Sequence, residues 1–260
     1  ATIIAQAISG ALCLIQLCRM RDVVDINRHT LKLDRTTALR IGKLGLPAGI
    51  TQAIFSMAMI IVQQLTNSFG AFVITCSTVV TRVDGFAMMP NFTFGMAMTT
   101  YAGQNVGARR PDRVVEGTRE GLKLGLLVST ICTAGILVFG RALFGLFTNT
   151  PEVIDTSMRM MTIISVGYIA FSVSQVLSGV MRGAGDTLTP MWISLFTTVV
   201  LRVPIAYGLA YITRSPELPN GSYDSLYYSL LISWVMTTVI TAVFFKRGKW
   251  RKKAEAMFKE

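Results

Sequence analysis

Residues 70–102 read GAFVITCSTVVTRVDGFAMMPNFTFGMAMTTYA. At 1.5 Å per residue, about 20 apolar residues carry an α-helix across a hydrocarbon core roughly 30 Å thick, and this run is longer than that. It holds two charges, Arg82 and Asp84, both well inside it. A soluble surface helix would scatter charge along its whole length. Strands of a membrane barrel would alternate over about 10 residues, whereas this run is apolar on all sides.

Segments of the same kind recur on either side. Working outward, they cover about 45–67, 121–139, 158–180, 190–212 and 225–245, and residues 1–18 look like the exit end of an earlier helix. The opening Ala1-Thr2-Ile3-Ile4-Ala5-Gln6 is already helix-like, with no basic n-region before it. We read the chain as starting within a membrane helix. The expected fold is all-α: a polytopic membrane bundle with six transmembrane helices. Its parts are residues 1–18, a loop over 19–43, the six-helix unit 44–245 and a basic tail over 246–260.

Composition agrees with this fold. Of 260 residues, 52% are hydrophobic and 15% charged, against about 25% charged in soluble domains. Mean hydropathy is +0.52. The net charge of +11 comes from Lys and Arg in the gaps between apolar runs, not interleaved with aromatics, which excludes nucleic-acid binding. The four cysteines form no C-x-x-C pair and His29 is the sole histidine, so no metal site is expected. No enzyme signature occurs.

The basic residues also set orientation. They crowd the loop with Arg19, Arg28 and Lys43, the loop with Arg109, Arg110, Arg113 and Arg119, the turn at Arg182, and the tail from Lys246. The intervening connections are poor in them. This alternation places those four regions and the C-terminus in the cytoplasm. In the tail, Trp250, Ala254, Met257 and Phe258 share one helical face, which suits a helix lying on anionic lipid.

Polar groups at membrane depth are costly unless paired or wetted, so they are the candidate site. Asp84 shares a helical face with Thr81 and Met88, and Arg82 shares one with Thr78 and Phe86. Asp84 reads either as a proton- or cation-coupling acid or as half of a structural ion pair. Pro90 removes a backbone donor and crowds the Phe86 carbonyl, which Asn91 or Thr93 could satisfy, and a broken helix there would serve as a hinge. Gln52, Gln63 and Asn67 either line a pathway or link helices. Arg202, before Pro204, either snorkels to an interface or counters an anion. Met57, Met59, Met88, Met89, Met96 and Met98 supply soft surface for a promiscuous site or for core filling.

Three loop motifs punctuate the runs. Gly45-Leu46-Pro47 opens a helix. Gly103-Gln104-Asn105-Val106-Gly107-Ala108 closes one, with glycines free to take positive φ. Arg182-Gly183-Ala184-Gly185-Asp186-Thr187 turns the chain tightly, and Asp186 or Thr187 can cap the next helix.

With Asn67-Ser68-Phe69-Gly70, Arg82-Val83-Asp84 and Arg202-Val203-Pro204, these motifs make the chain resemble the multidrug and toxic compound extrusion transporters. That family belongs to a broader flippase-like superfamily. The resemblance runs across nearly the whole chain. It implies that residues 1–18 end helix six and that the six segments are helices seven to twelve, the second of two lobes. It also implies export of amphipathic or cationic drugs in exchange for Na⁺ or H⁺ by alternating access, with no other cofactor. The expected partners are membrane lipids, small amphipathic drugs and a first lobe, without which this one should not transport. The chain departs from members that carry acids on helices seven and ten. It has Gln52, Gln63, Gln64, Tyr168 and Gln175 there, which points to Asp84 or to the first lobe for the coupling acid. The alternatives are a lipid-linked sugar flippase, which would show an Arg-rich cleft, and a membrane scaffold.

Overall fold

The computed structural model describes residues 2–19, 34–248 and 250–251, with side chains described except at 2, 18, 36–37 and 40–52. Two compact units divide the chain, residues 1–50 and 51–260. The first holds α1 (Thr2–Arg19), with Ile3, Ile4, Ile8, Leu12 and Ile15 exposed, and the start of α2 (Arg35–Ser68). The second holds the rest of α2, then α3 (Ala71–Gly107), α4 (Pro111–Gly145), α5 (Pro151–Gly183), α6 (Leu188–Leu195), a π-helical segment (Phe196–Arg202), α7 (Val203–Ile212) and α8 (Asp224–Lys246). Among the described residues there is no strand, only an isolated bridge between Ser215 and Leu218.

Five of these helical rods are long and apolar enough to cross a membrane: α3, α4, α5, the continuous α6–π–α7 rod and α8. The remaining sequence segment, 45–67, falls within α2. The protein is a polytopic helical membrane bundle. Large apolar side chains such as Ile131, Val138, Phe139 and Val166 stand exposed on its outer faces, as lipid-facing positions do.

α5 is the hub. Its apolar window is 56% buried, against 22–33% for the other four rods, because α3, α4 and α8 all pack on it. Glycine makes the α3–α5 approach possible. A Cβ on Gly179 would lie 2.4 Å from the Gly95 carbonyl oxygen, and one on Gly183 would lie 2.3 Å from the Thr99 carbonyl oxygen. With no hydrophobic drive between helices in lipid, such backbone-to-backbone packing supplies much of the association.

Hydrogen bonds close each turn. After α5, Gly185 takes φ +82, its N–H donates to the Arg182 carbonyl, and the Asp186 N–H donates to the Met181 carbonyl, the two bonds of a Schellman ending. Asp186, buried, accepts from the Thr189 N–H at 3.4 Å and so caps α6, while Thr187 makes no side-chain cap.

One apolar cluster joins Met98, Ala102 and Val106 with Val114, Val180, Met181, Ala184 and Trp250. It gathers the α3–α4 loop, the α5–α6 turn and the start of the tail at one end of the bundle. The loop with Arg109, Arg110 and Arg113 and the turn at Arg182 therefore share that end. At the other end two basic residues are paired, Arg141 with Asp155 at 2.7 Å and Arg159 with Asp224 at 2.5 Å, while Arg214 lies over the Tyr211 ring at 5.3 Å.

Four expectations need correction. α2 starts at Arg35, so Gly45-Leu46-Pro47 lies inside a helix rather than opening one, and part of the anticipated 19–43 loop is helical. The Pro47 side chain and loop residues 20–33 lie outside the described residues. Pro90 does not break α3, which runs unbroken from Ala71 to Gly107. Asn91 Nδ2 donates to the Ala87 carbonyl and Thr93 Oγ1 to the Met89 carbonyl, so neither takes the Phe86 carbonyl expected of it. Gly103 and Gly107 are helical, and the left-handed residue is Arg109 at φ +58. Finally, Trp250 is buried, not lipid-facing: it stacks on Phe245 at 5.1 Å and donates Nε1–H to that residue's carbonyl. Ala254, Met257 and Phe258 lie outside the described residues.

Candidate functional site

Within the second unit, the end of α2, α3, α5, the α6–π–α7 rod and α8 surround a cavity of about 540 Å³. Ligand pockets commonly measure about 300–1,000 Å³. Helical spacing explains which residues reach it. On α3, Ser77, Thr81, Asp84 and Met88 recur at steps of four, three and four, and on α8 Tyr227, Leu230, Trp234 and Thr237 recur at steps of three, four and three.

Asp84 lies in this cavity, and its Oδ1 accepts a hydrogen bond from the Tyr168 hydroxyl at 2.5 Å. Tyr168 is fully buried, and its ring sits 5.5 Å from that of Trp234. Trp234 in turn lies 5.3 Å from Phe171, which meets Phe92 edge-on at 5.6 Å. The acid therefore opens onto a ladder of aromatic faces, the surface that attracts organic cations and flat apolar bodies. Phe55, Met59 and Met88 complete the soft wall.

Arg202 lines the same cavity, at the last position of the π-helical segment. Pro204 withholds the N–H that would bond the Val200 carbonyl in an α-helix, and the wider turn lies directly before it. An α-helix of 3.6 residues per turn lets positions four apart drift around the axis. The i→i+5 turn offsets that drift, so Ser194, Thr198 and Arg202 all face the cavity. Across from them Ser233 donates to the Thr197 carbonyl at 2.9 Å, and Thr237 donates to Thr197 Oγ1 at 2.8 Å.

The residues singled out from sequence separate into groups. Gln63, Asp84 and Arg202 meet in the cavity. Asn67 accepts from Gln63 Nε2 at 2.9 Å, one turn further along α2. Arg82 is not with them: two residues from Asp84, it leaves α3 by another face and places its guanidinium over the Phe147 ring at 5.8 Å. Asn91 is buried and holds the Ala87 carbonyl. Gln104 is exposed near the end of α3, while Arg182, Gly183 and Asp186 belong to the α5–α6 turn. The Gln52 side chain lies outside the described residues.

Sequence reading had passed over Tyr227 and Trp234, and had noted Tyr168 and Gln175 only as standing where acids were sought. Their spacing was the available signal: Tyr168, Phe171 and Gln175 fall at i, i+3 and i+7 on α5.

A bundle of membrane-length helices that encloses an acid, an arginine and adjoining aromatic rings is a membrane protein of the carrier type. The MatE family model matches residues 47–208, more than half of the chain, and the chain belongs to that family. It is a family of transporters rather than enzymes. The chain is 29% identical over 187 residues to the "Probable multidrug resistance protein YoeA" of Bacillus subtilis (strain 168), covering 72% of this chain and 40% of that protein. It is 24% identical over 212 residues to the "Probable multidrug resistance protein NorM" of Thermotoga maritima, covering 82% and 44%. A solved structure described as "Crystal structure of MATE in complex with MaL6" superposes with TM-score 0.79 at 18% identity, over 100% of this chain and 56% of that one, a likeness of fold. The chain thus spans less than half the length of these two relatives.

Proposed function

We propose that this chain is the second lobe of a secondary active multidrug exporter. In this reading it exports amphipathic or cationic drugs in exchange for Na⁺ or H⁺, by alternating access against a first lobe. It would sit in the cell membrane with the arginine-rich end and the C-terminus in the cytoplasm. The observation that carries the reading is Asp84, the one acid lining the cavity among the described residues, held by Tyr168 and facing a row of aromatic rings. A carboxylate in such a place can exchange a coupling ion for the positive end of a drug, because one negative charge in an apolar surround favours one cation at a time.

Asp84 is also the better candidate on geometry than Arg82, which lies over Phe147 outside the cavity. The flippase alternative calls for several cationic groups to hold a pyrophosphate. Among the described residues the cavity lining contains one, Arg202, set among aromatic and methionine side chains.

The test is ion-driven drug uptake into proteoliposomes by the native-length protein. Asp84→Asn should cut the coupled rate by tenfold or more, about 1.4 kcal/mol per decade, with expression and melting temperature retained. Unchanged coupled transport would remove Asp84 from the mechanism.

A further inference from the structure

The cavity contains a cation that makes no salt bridge with a carboxylate among the described residues. The single hydrogen bond of the Arg202 guanidinium among the described residues runs from Nη1 to Met59 Sδ at 3.4 Å, a thioether and so a weak acceptor. Its Nε is buried with no hydrogen-bond partner. Asp84 shares the cavity and its charge interacts with that of Arg202, yet Asp84 bonds to Tyr168, and no salt bridge within 4.0 Å joins the two among the described residues. Tyr227, nearby on α8, has its hydroxyl engaged with Ser77 Oγ at 3.0 Å. The hydroxyls left on that wall, Ser194 and Thr198, are neutral.

A guanidinium in a low-dielectric wall is costly unless something of opposite charge meets it. Its planar fork of donors matches a carboxylate. We propose that Arg202 is an anion anchor in the ligand cavity, and that this lobe prefers amphipathic ligands that carry a carboxylate as well as an aromatic body. A zwitterion would lay its rings along Phe171 and Trp234, its carboxylate on Arg202 and its positive group toward Asp84. This rests on the cavity being the drug site and narrows the class of drug it takes.

Two fluorescent probes separate the possibilities: tetramethylrhodamine with its free carboxylate, and the methyl ester of the same dye, which is a plain cation. Equilibrium binding would be measured by anisotropy on the native-length protein in nanodiscs. The wild type should bind the carboxylate more tightly than the ester. Arg202→Gln should weaken the carboxylate by about tenfold or more, the scale of a lost charge-assisted hydrogen bond, while leaving the ester unchanged or tighter. Arg202→Lys should recover part of the loss. Equal weakening of both dyes, or equal binding of both by the wild type, would overturn the anchor while leaving the drug cavity standing. Failure of both dyes to bind the folded wild type would overturn both.

Discussion

The two halves of the α3–α5 pair are built on opposite principles. Toward the arginine-rich end, Gly179 meets the Gly95 carbonyl and Gly183 the Thr99 carbonyl, backbone against backbone, with little room for a further side chain at those two points. Toward the middle, the same helices part around Asp84, Tyr168, Phe92 and Phe171, with large side chains at the facing positions. One half is a clamp and the other a container. The difference lies in side-chain size: small residues gain packing and large ones leave space that polar groups can wet. A lobe that must enclose a ligand within lipid needs both, because the clamp keeps the helices from collapsing into the container.

The comparison is most severely stressed at Gly179. Gly179→Ala puts a methyl against the rigid Gly95 backbone and should lower stability by about 2–3 kcal/mol, the upper range for overpacking. Gly85, on the same α3 but with open space around its Cβ position, should accept alanine with no loss. Fluorescence-detected size-exclusion melts would compare them, and equal melting temperatures would mean that the clamp is not a tight seam.

A smaller effect is expected at the far end. Arg159→Ala strips the charge partner from Asp224, whose side chain is 10% exposed. Much of the Arg159 head is wet, so the loss should be about 1 kcal/mol rather than that of a fully buried pair. Arg141→Ala breaks an exposed pair with Asp155 and should change stability by less than about 0.5 kcal/mol. Melts of both variants would rank the two pairs, and a larger loss at Arg141 would reverse the assignment of burial.

Much of this was legible in the sequence. Apolar runs of membrane length fix the helices, because nothing else satisfies a backbone in lipid. The alternation of basic loops anticipated that the Arg109 loop, the Arg182 turn and the start of the tail share an end. Helical spacing placed Asp84 with Thr81 and Met88, and all three line the cavity. What was not legible depends on geometry beyond one helix. The Tyr168–Asp84 bond joins residues on different helices. Arg202 reaches the cavity through a π turn, which no α-helical wheel anticipates. Pro90 looked like a break because its local cost is visible in sequence; side-chain bonds from Asn91 and Thr93 were anticipated, but not that they go to the Ala87 and Met89 carbonyls in an unbroken helix. Glycines 103 and 107 looked like turn residues, yet they lie within α3, and Gly103 faces the Gly183 carbonyl at close range.

The central claim is that Asp84 looks into a ligand cavity and that the neighbouring Arg82 does not. Single cysteines at positions 81 and 82, in a protein freed of its native cysteines, test it directly. Each would be reacted with a small aqueous methanethiosulfonate reagent, with and without tetramethylrhodamine methyl ester. Ligand should slow modification of Thr81→Cys several-fold and leave Arg82→Cys unaffected. Protection at position 82 with none at 81 would contradict the account.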